Sequence, residues 1–188
     1  MRSMRPDPGL RVRKLRIPTE HGSIPALVLS PLTPPKNATG ILWLHGGGYI
    51  AGMKEMVHMS RAVELVKRFG AVVLSPGYRL ALQAPYPAAL DDCYAAPARL
   101  DDFADLPPAC SFVGDGEPFY AETVRYFQRL RTAGVPAELD VYHTDVHAFD
   151  MMRPEDALSI EAAETFNRRF AYAQKHFFAP QQKTDIPM

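Results

Sequence analysis

The chain has 188 residues, enough for one domain with a substantial core. Its 47% hydrophobic and 22% charged residues are ordinary for a globular protein, and 21 basic residues balance 21 acidic ones, so no overall field draws in nucleic acid or an anionic membrane. The N-terminus MRSMRPDPGL has no apolar signal core and no apolar run reaches the ~18 residues of a membrane span; two cysteines, Cys93 and Cys110, make no disulfide framework, so a cytoplasmic protein is expected.

In chain order, residues 11–18 and 24–30 read as two strands separated by the turn Glu20-His21-Gly22. Pro31 to Gly40, rich in Pro, Thr and Asn, reads as a loop. Residues 41–45 form a short, continuously apolar run, the pattern of a strand covered on both faces. Met56, Met59, Val63 and Val66 then recur at helical spacing, with Gly70 where a helix C-terminus favours glycine. Ala71 to Leu74 predicts another buried strand, followed by the turn residues Pro76-Gly77. A helix from about Ala88, a strand at 109–113, a helix through Val124, Phe127 and Leu130 to Gly134, and a strand from Leu139 to Tyr142 follow. The last helix carries Leu158, Ala162, Phe166 and Phe170 as an i, i+4 stripe. This alternation predicts an α/β fold: a mainly parallel, doubly wound sheet with helices on both faces, in one domain spanning residues 1–188.

In such a sheet, ligands bind beyond the carboxyl ends of the strands. The loops expected there are HGGGY (45–49), SPGYR (75–79), VGDGEPF (113–119) and HTDVHAF (143–149). Three glycines leaving a buried strand suit either a tight turn or a close approach of backbone amides to a ligand.

HGGGY followed by YRLALQAPYPAALDDC resembles the hormone-sensitive-lipase-like branch of the α/β-hydrolases, which are carboxylesterases and lipases. LPPACSFVGDGEPF resembles the strand and loop that hold that family's acidic triad member, and VPAELDVYHTDVHAFDMM resembles the stretch around its catalytic histidine. The likeness runs from about residue 24 to 178. It implies that Gly47 and Gly48 donate oxyanion amides, that His147 is the general base, and that Glu117 orients it. The family has Asp at that acidic position, which leaves Asp115 as the alternative. His45, Gly46, Tyr49, Ser75 and Tyr78 would line the crevice. The resemblance implies a small-molecule ester as substrate and no cofactor. An assembly of several copies stays open.

The nucleophile is the missing part. The fold's elbow is G-x-S-x-G, and none of the serines at 3, 23, 30, 60, 75, 111 and 159 has glycine two residues before it. Neither does Cys93 or Cys110. The family order places the elbow between DDCYAA and LPP, where only residues 97–105 intervene. That gap cannot hold a strand, an elbow and its helix, so a family block is expected to be missing near 97–105, with the junction close to Pro97. Ser75 is the remaining hydroxyl candidate, against the plainer reading of a turn-capping group. His143, Asp145 and His147 alternate at strand period and could suit zinc if the strand ran that far, but the segment matches the esterase histidine loop, so no metal is expected.

With the block absent, strand 109–113 is expected to slide beside strand 41–45 so that no edge stays bare. The loop Gly114-Asp115-Gly116-Glu117 would then set its carboxylates by the amides of Gly47 and Gly48 and raise the pKa of His147.

Overall fold

The computed structural model describes residues 4–19, 22–85, 88–93 and 106–177. Two long strands, β1 (Leu10–Thr19) and β2 (Gly22–Pro31), pair antiparallel along their whole length, Leu10 opposite Pro31 and Thr19 opposite Gly22. Of the expected turn between them, Glu20 and His21 lie outside the described residues. β2 continues into antiparallel pairing with β4 (Val72–Pro76), and β3 (Gly40–Leu42) adds parallel to β4, giving the order β1-β2-β4-β3. β5 (Ala109–Gly114) and β6 (Ala137–Tyr142) form a separate parallel pair. The α/β class expected from the alternation stands. The sheet is mixed, because the N-terminal hairpin brings two antiparallel pairings.

The helical pattern through Met56 and Val66 resolves into two pieces. A 3-10 helix covers Lys54–Met59, and α1 covers Arg61–Phe69. Ser60 divides them: its backbone is extended, its Oγ accepts from Ala62 N–H at 3.1 Å, and its hydroxyl donates to the Val57 carbonyl at 2.8 Å. A serine in that conformation is a helix N-cap and ends the preceding turn. Gly70 closes α1 in the left-handed region at φ 66°, where a Cβ would be strained. Among the described residues the remaining helices are α2 (Ala88–Cys93), α3 (Tyr120–Thr132), α4 (Phe149–Met152) and α5 (Ala157–His176). The expected junction near Pro97, and the helix beyond Cys93, lie outside the described residues.

The larger core packs Leu27 and Leu29 of β2 and Val73 of β4 against Ala62, Val63 and Val66 of α1. β2 has a neighbour on each side, and Ala26 to Ser30 are buried in succession, as a strand with two covered faces should be. A second cluster packs Phe127 and Leu130 of α3 onto Val135 and Ala137, and a third packs Tyr142, Phe149 and Ala162.

Two expectations fail here. Strand 41–45 was expected to be buried; β3 is only three residues long, and Leu42 and Leu44 are 55% and 44% exposed. Strand 109–113 was expected to pair with it, but among the described residues β5 pairs only with β6. The reason lies in α5. Phe166 packs edge-on to Phe112 of β5 and Arg169 binds Asp140 of β6 with two hydrogen bonds of 2.7 and 2.6 Å. Within the same turn, Asn167 donates to Glu64 of α1 at 2.6 Å and Phe170 meets Phe69 at 5.1 Å. One helix therefore ties β5 and β6 to α1, which packs on the other sheet, and moving β5 beside β3 would break these contacts.

Candidate active site

The HGGGY loop leaves β3 with three successive residues at positive φ: Gly47 at 125°, Gly48 at 60° and Tyr49 at 62°. Gly47 has no room for a side chain, since a Cβ there would lie 2.0 Å from the Ala51 carbonyl oxygen. Tyr49 is not glycine and holds the left-handed conformation at a cost of about 1 kcal/mol. Its carbonyl accepts from Ala81 N–H at 2.7 Å, and its ring meets Tyr78 edge-on at 6.0 Å. The Gly47 carbonyl takes the N–H groups of Ile50 and Ala51, whereas the Gly47 and Gly48 N–H groups donate to no acceptor among the described residues. Two free amides at a strand end form a donor pair suited to an oxyanion.

His45 anchors this loop. It is 5% exposed, stacks on Tyr78 at 4.1 Å, and its Nδ1 donates to the Gly46 carbonyl at 2.9 Å. The Tyr78 hydroxyl donates to the His45 carbonyl at 2.5 Å. Gly52 must be glycine for this to hold, because a Cβ would stand 2.3 Å from His45 Nδ1. His45, Gly52 and Tyr78 border a cavity of about 280 Å³ that Lys54, Arg79 and Gln83 also line. Arg79 is held at its rim by Asp92 of α2, which takes its Nε and Nη2 at 2.9 Å each. Ser75 is elsewhere: fully buried in β4, with its hydroxyl donating to the Lys54 carbonyl at 3.1 Å.

The second group is built by two loops joined backbone to backbone. Asp115 N–H donates to the Tyr142 carbonyl at 2.9 Å, and Gly116 N–H to the Thr144 carbonyl at 3.1 Å. Glycine is required at 114, where a Cβ would meet Thr144 O at 2.5 Å, and at Gly116 a Cβ would lie 3.0 Å from Asp145, a tight contact. Sequence reasoning did not single out these two glycines; the G-D-G spacing after an apolar strand was the available signal.

This seam sorts the two carboxylates. His147 Nδ1 donates to Glu117 Oε2 at 2.6 Å, while Gly114 N–H donates to Glu117 Oε1 at 3.3 Å. The Glu117 side chain is 10% exposed and His147 62%. An ionised carboxylate only accepts, so Nδ1 carries the proton and leaves the Nε2 lone pair available as a base. Phe119 lies against the imidazole at 5.1 Å between ring centres. Asp115, the alternative acid, is taken by another histidine: His143 Nδ1 donates to its Oδ2 at 2.8 Å, and Thr144 N–H to its Oδ1 at 3.2 Å. That hydrogen bond lowers the Asp115 pKa and raises that of His143.

The zinc arrangement weighed for His143, Asp145 and His147 needs a strand, but β6 ends at Tyr142. Each histidine instead turns to its own carboxylate, and among the described residues no three His, Cys, Asp or Glu are grouped to hold a metal. The expected meeting of the Glu117 loop with the glycine amides does not occur either. Both carboxylates spend their hydrogen bonds within the β5–β6 half, because β5 stays with β6.

The serines are also accounted for. Ser23 Oγ accepts from Arg16, Ser60 caps α1, Ser111 leans on the Phe112 carbonyl at 3.5 Å, and Ser159 donates to the Phe149 carbonyl. Ser30 is buried within β2, and Ser3 lies outside the described residues. Cys110 is half-buried and burial pushes its thiol pKa up, away from a reactive thiolate. The Cys93 side chain lies outside the described residues.

A glycine-rich donor loop follows one strand, and an acid–histidine pair sits on the loops after two others. The alpha/beta hydrolase fold family matches this chain over residues 41–102 and 94–151, more than half its length, and the chain belongs to that family. Esterase LipI of Mycobacterium tuberculosis is 37% identical over 91 residues, covering 47% of this chain and 28% of the relative. An acetyl esterase of Salmonella agona is 33% identical over 99 residues, 52% of this chain and 29% of the relative. The matched region thus spans less than a third of these curated relatives. Among solved structures, bacterial heroin esterase aligns with a TM-score of 0.78 at 18% identity, over 87% of this chain and 83% of that one. Esterase LipW from Mycobacterium marinum aligns at 0.76 and 20%, over 91% and 83%. At these identities the likeness is one of fold. Among the described residues no helix is long and apolar enough to cross a membrane.

Proposed function

We propose that this chain is the scaffold of a small-molecule carboxylic-ester hydrolase that keeps the base, the orienting acid and the oxyanion donors but has no nucleophile of its own. His147 is the base, Glu117 fixes its tautomer, and Gly47 and Gly48 supply the amides. The family block that would carry the serine is absent near residues 97–105, and the chain is one domain of cytoplasmic origin. The observation that carries this reading is that each described serine hydroxyl with a hydrogen bond uses it away from His147, and that Ser75, the hydroxyl candidate in the sequence, is sealed in β4. The esterase relatives support an ester as the ligand.

Loss of the nucleophile removes most of the rate of a triad hydrolase, while donors and binding alone can leave a residue of it. The purified chain is therefore expected to turn over p-nitrophenyl acetate no faster than His147→Ala. A serine-directed fluorophosphonate should add no mass to the intact protein. A covalent adduct, or turnover abolished by Ser75→Ala with the fold intact, would overturn this reading.

A further inference from the structure

Two groups of cations stand out on this protein. β1 carries Arg11, Arg13, Lys14 and Arg16, all exposed along a sheet edge, where such charges keep a stray strand from pairing. Arg5, Lys67 and Arg68 instead surround a cavity of about 820 Å³ between the segment before β1 and α1. Asp7 fixes the lip of that cavity. Its Oδ1 accepts from Gly9 N–H at 2.8 Å, its Oδ2 from Lys67 Nζ at 2.8 Å, and its carbonyl from Leu10 N–H at 3.1 Å. The segment is thereby tied to both β1 and α1.

His58 of the 3-10 helix also lines the cavity. It is 7% exposed, and its Nδ1 is buried with no hydrogen-bond partner among the described residues. Burial lowers its pKa, so the imidazole is neutral near pH 7 and has one donor and one acceptor to satisfy. A buried polar atom left without a partner costs stability. A molecule held in the cavity, or a water trapped beneath it, supplies one.

The charges narrow the ligand. Arg5, Lys67 and Arg68 against Asp7 and Glu64 leave one excess positive charge in the lining, which suits a monoanion. A phosphate would set its further charge against two carboxylates. Lys67 is engaged by Asp7 and Glu64 accepts from Asn167 at 2.6 Å, whereas Arg68 approaches Glu64 only to 3.9 Å, too far for a hydrogen bond. Its planar fork of donors matches the two oxygens of a carboxylate. Val63, Pro6 and Pro8 supply an apolar stretch of lining, and the volume lies within the ~300–1,000 Å³ usual for small-molecule sites. We propose that this cavity binds a monocarboxylate with a hydrocarbon body, its carboxylate held by Arg68 and Lys67 and its body laid against Val63, Pro6 and Pro8. The inference does not depend on ester chemistry, so it stands or falls separately from the function proposed above.

The test is isothermal titration of the whole chain at pH 7 with octanoate, 1-octanol and acetate. Octanoate should bind saturably at one site and shift the His58 Hε1 NMR signal. Octanol lacks the charge and acetate the body, so each should bind far more weakly. Lys67→Gln combined with Arg68→Gln, at side chains 54% and 56% exposed, should weaken octanoate about tenfold. His58→Phe should weaken it too; if that variant does not fold, the two surface substitutions decide. Arg13→Gln on β1 should change nothing. Absence of saturable binding, equal binding of octanol or acetate, or indifference to the paired substitution overturns the proposal. So does binding that His147→Ala abolishes and the paired substitution leaves intact, since octanoate would then occupy the site proposed above.

Discussion

β2 and β5 are both apolar strands of the same chain, yet one is buried along its length and the other only at its end. β2 is flanked by β1 and β4 and hides five successive residues; among the described residues β5 is flanked by β6 alone, and Ala109 to Phe112 stay half-buried while Val113 and Gly114 are covered. Their compositions are similar, so the difference comes from neighbours. A strand's burial is a property of the sheet it joins: β2 has a strand on each side as well as α1 against it, whereas β5 has β6 beside it and α5 against it.

The largest expected effect tests that contrast in the cores. Leu29→Ala, at a position with no exposure, should cost about 3 kcal/mol, the usual range for a sealed leucine. Phe112→Ala should cost roughly half as much despite the larger side chain removed, because its surroundings are partly open. Urea denaturation of both variants measures this; equal losses would mean that β5 is as well packed as β2.

Next is the tie between the halves. Arg61 of α1 binds Asp150 of α4 at 2.9 Å, with the two side chains 12% and 9% exposed, and its guanidinium lies 5.2 Å over the Phe112 ring. Arg61→Ala leaves Asp150 nearly buried and unpaired, a loss of about 2 kcal/mol. Hydrogen exchange should quicken in β5 and β6 and stay unchanged in β1, β2 and β4. A uniform increase would show that the halves open as one unit.

The smallest effect concerns the loop seam. The His143 pKa is raised from 6.5 by Asp115, so its share of the stabilisation is complete below 6.5 and is lost as pH rises through the raised value. The Asp115 pKa is lowered from 3.8, so its share is present above 3.8 and is lost as pH falls through the lowered value. The pair acts most fully between those two ordinary values. In an NMR titration, Asp115→Asn should move the His143 midpoint down, while Glu117→Gln leaves it in place. A shift with Glu117→Gln would mean that the two histidine–carboxylate pairs are coupled.

Most elements were legible in the sequence because their periodicity and punctuation agree: β1, β2 and β4 fall within a residue or two of the expected spans, and α5 contains the whole expected stripe from Leu158 to Phe170. Pairing was not legible. The edge rule argued for moving β5 next to β3, and it lost to contacts of α5 that link residues far apart in sequence. The glycine loop and the Glu117–His147 pair were each readable from their motifs. The choice between Glu117 and Asp115 was not, since it turns on a backbone seam that seats one carboxylate under each histidine. Ser75 could not be judged from sequence either, because alternation along β4 does not say which face is sealed.

The cationic flank of β1 has a practical side. Positive and negative residues are equal in number, so the molecule should barely migrate in an electric field near neutral pH. Yet Arg11 and Arg13 project from one face of the strand and Lys14 and Arg16 from the other, all exposed. A sulfonate resin meets that flank first and retains a protein whose isoelectric point says it should flow through. Elution should come at modest salt, where the screening length falls to about 10 Å and the acidic residues elsewhere no longer matter to the bound face.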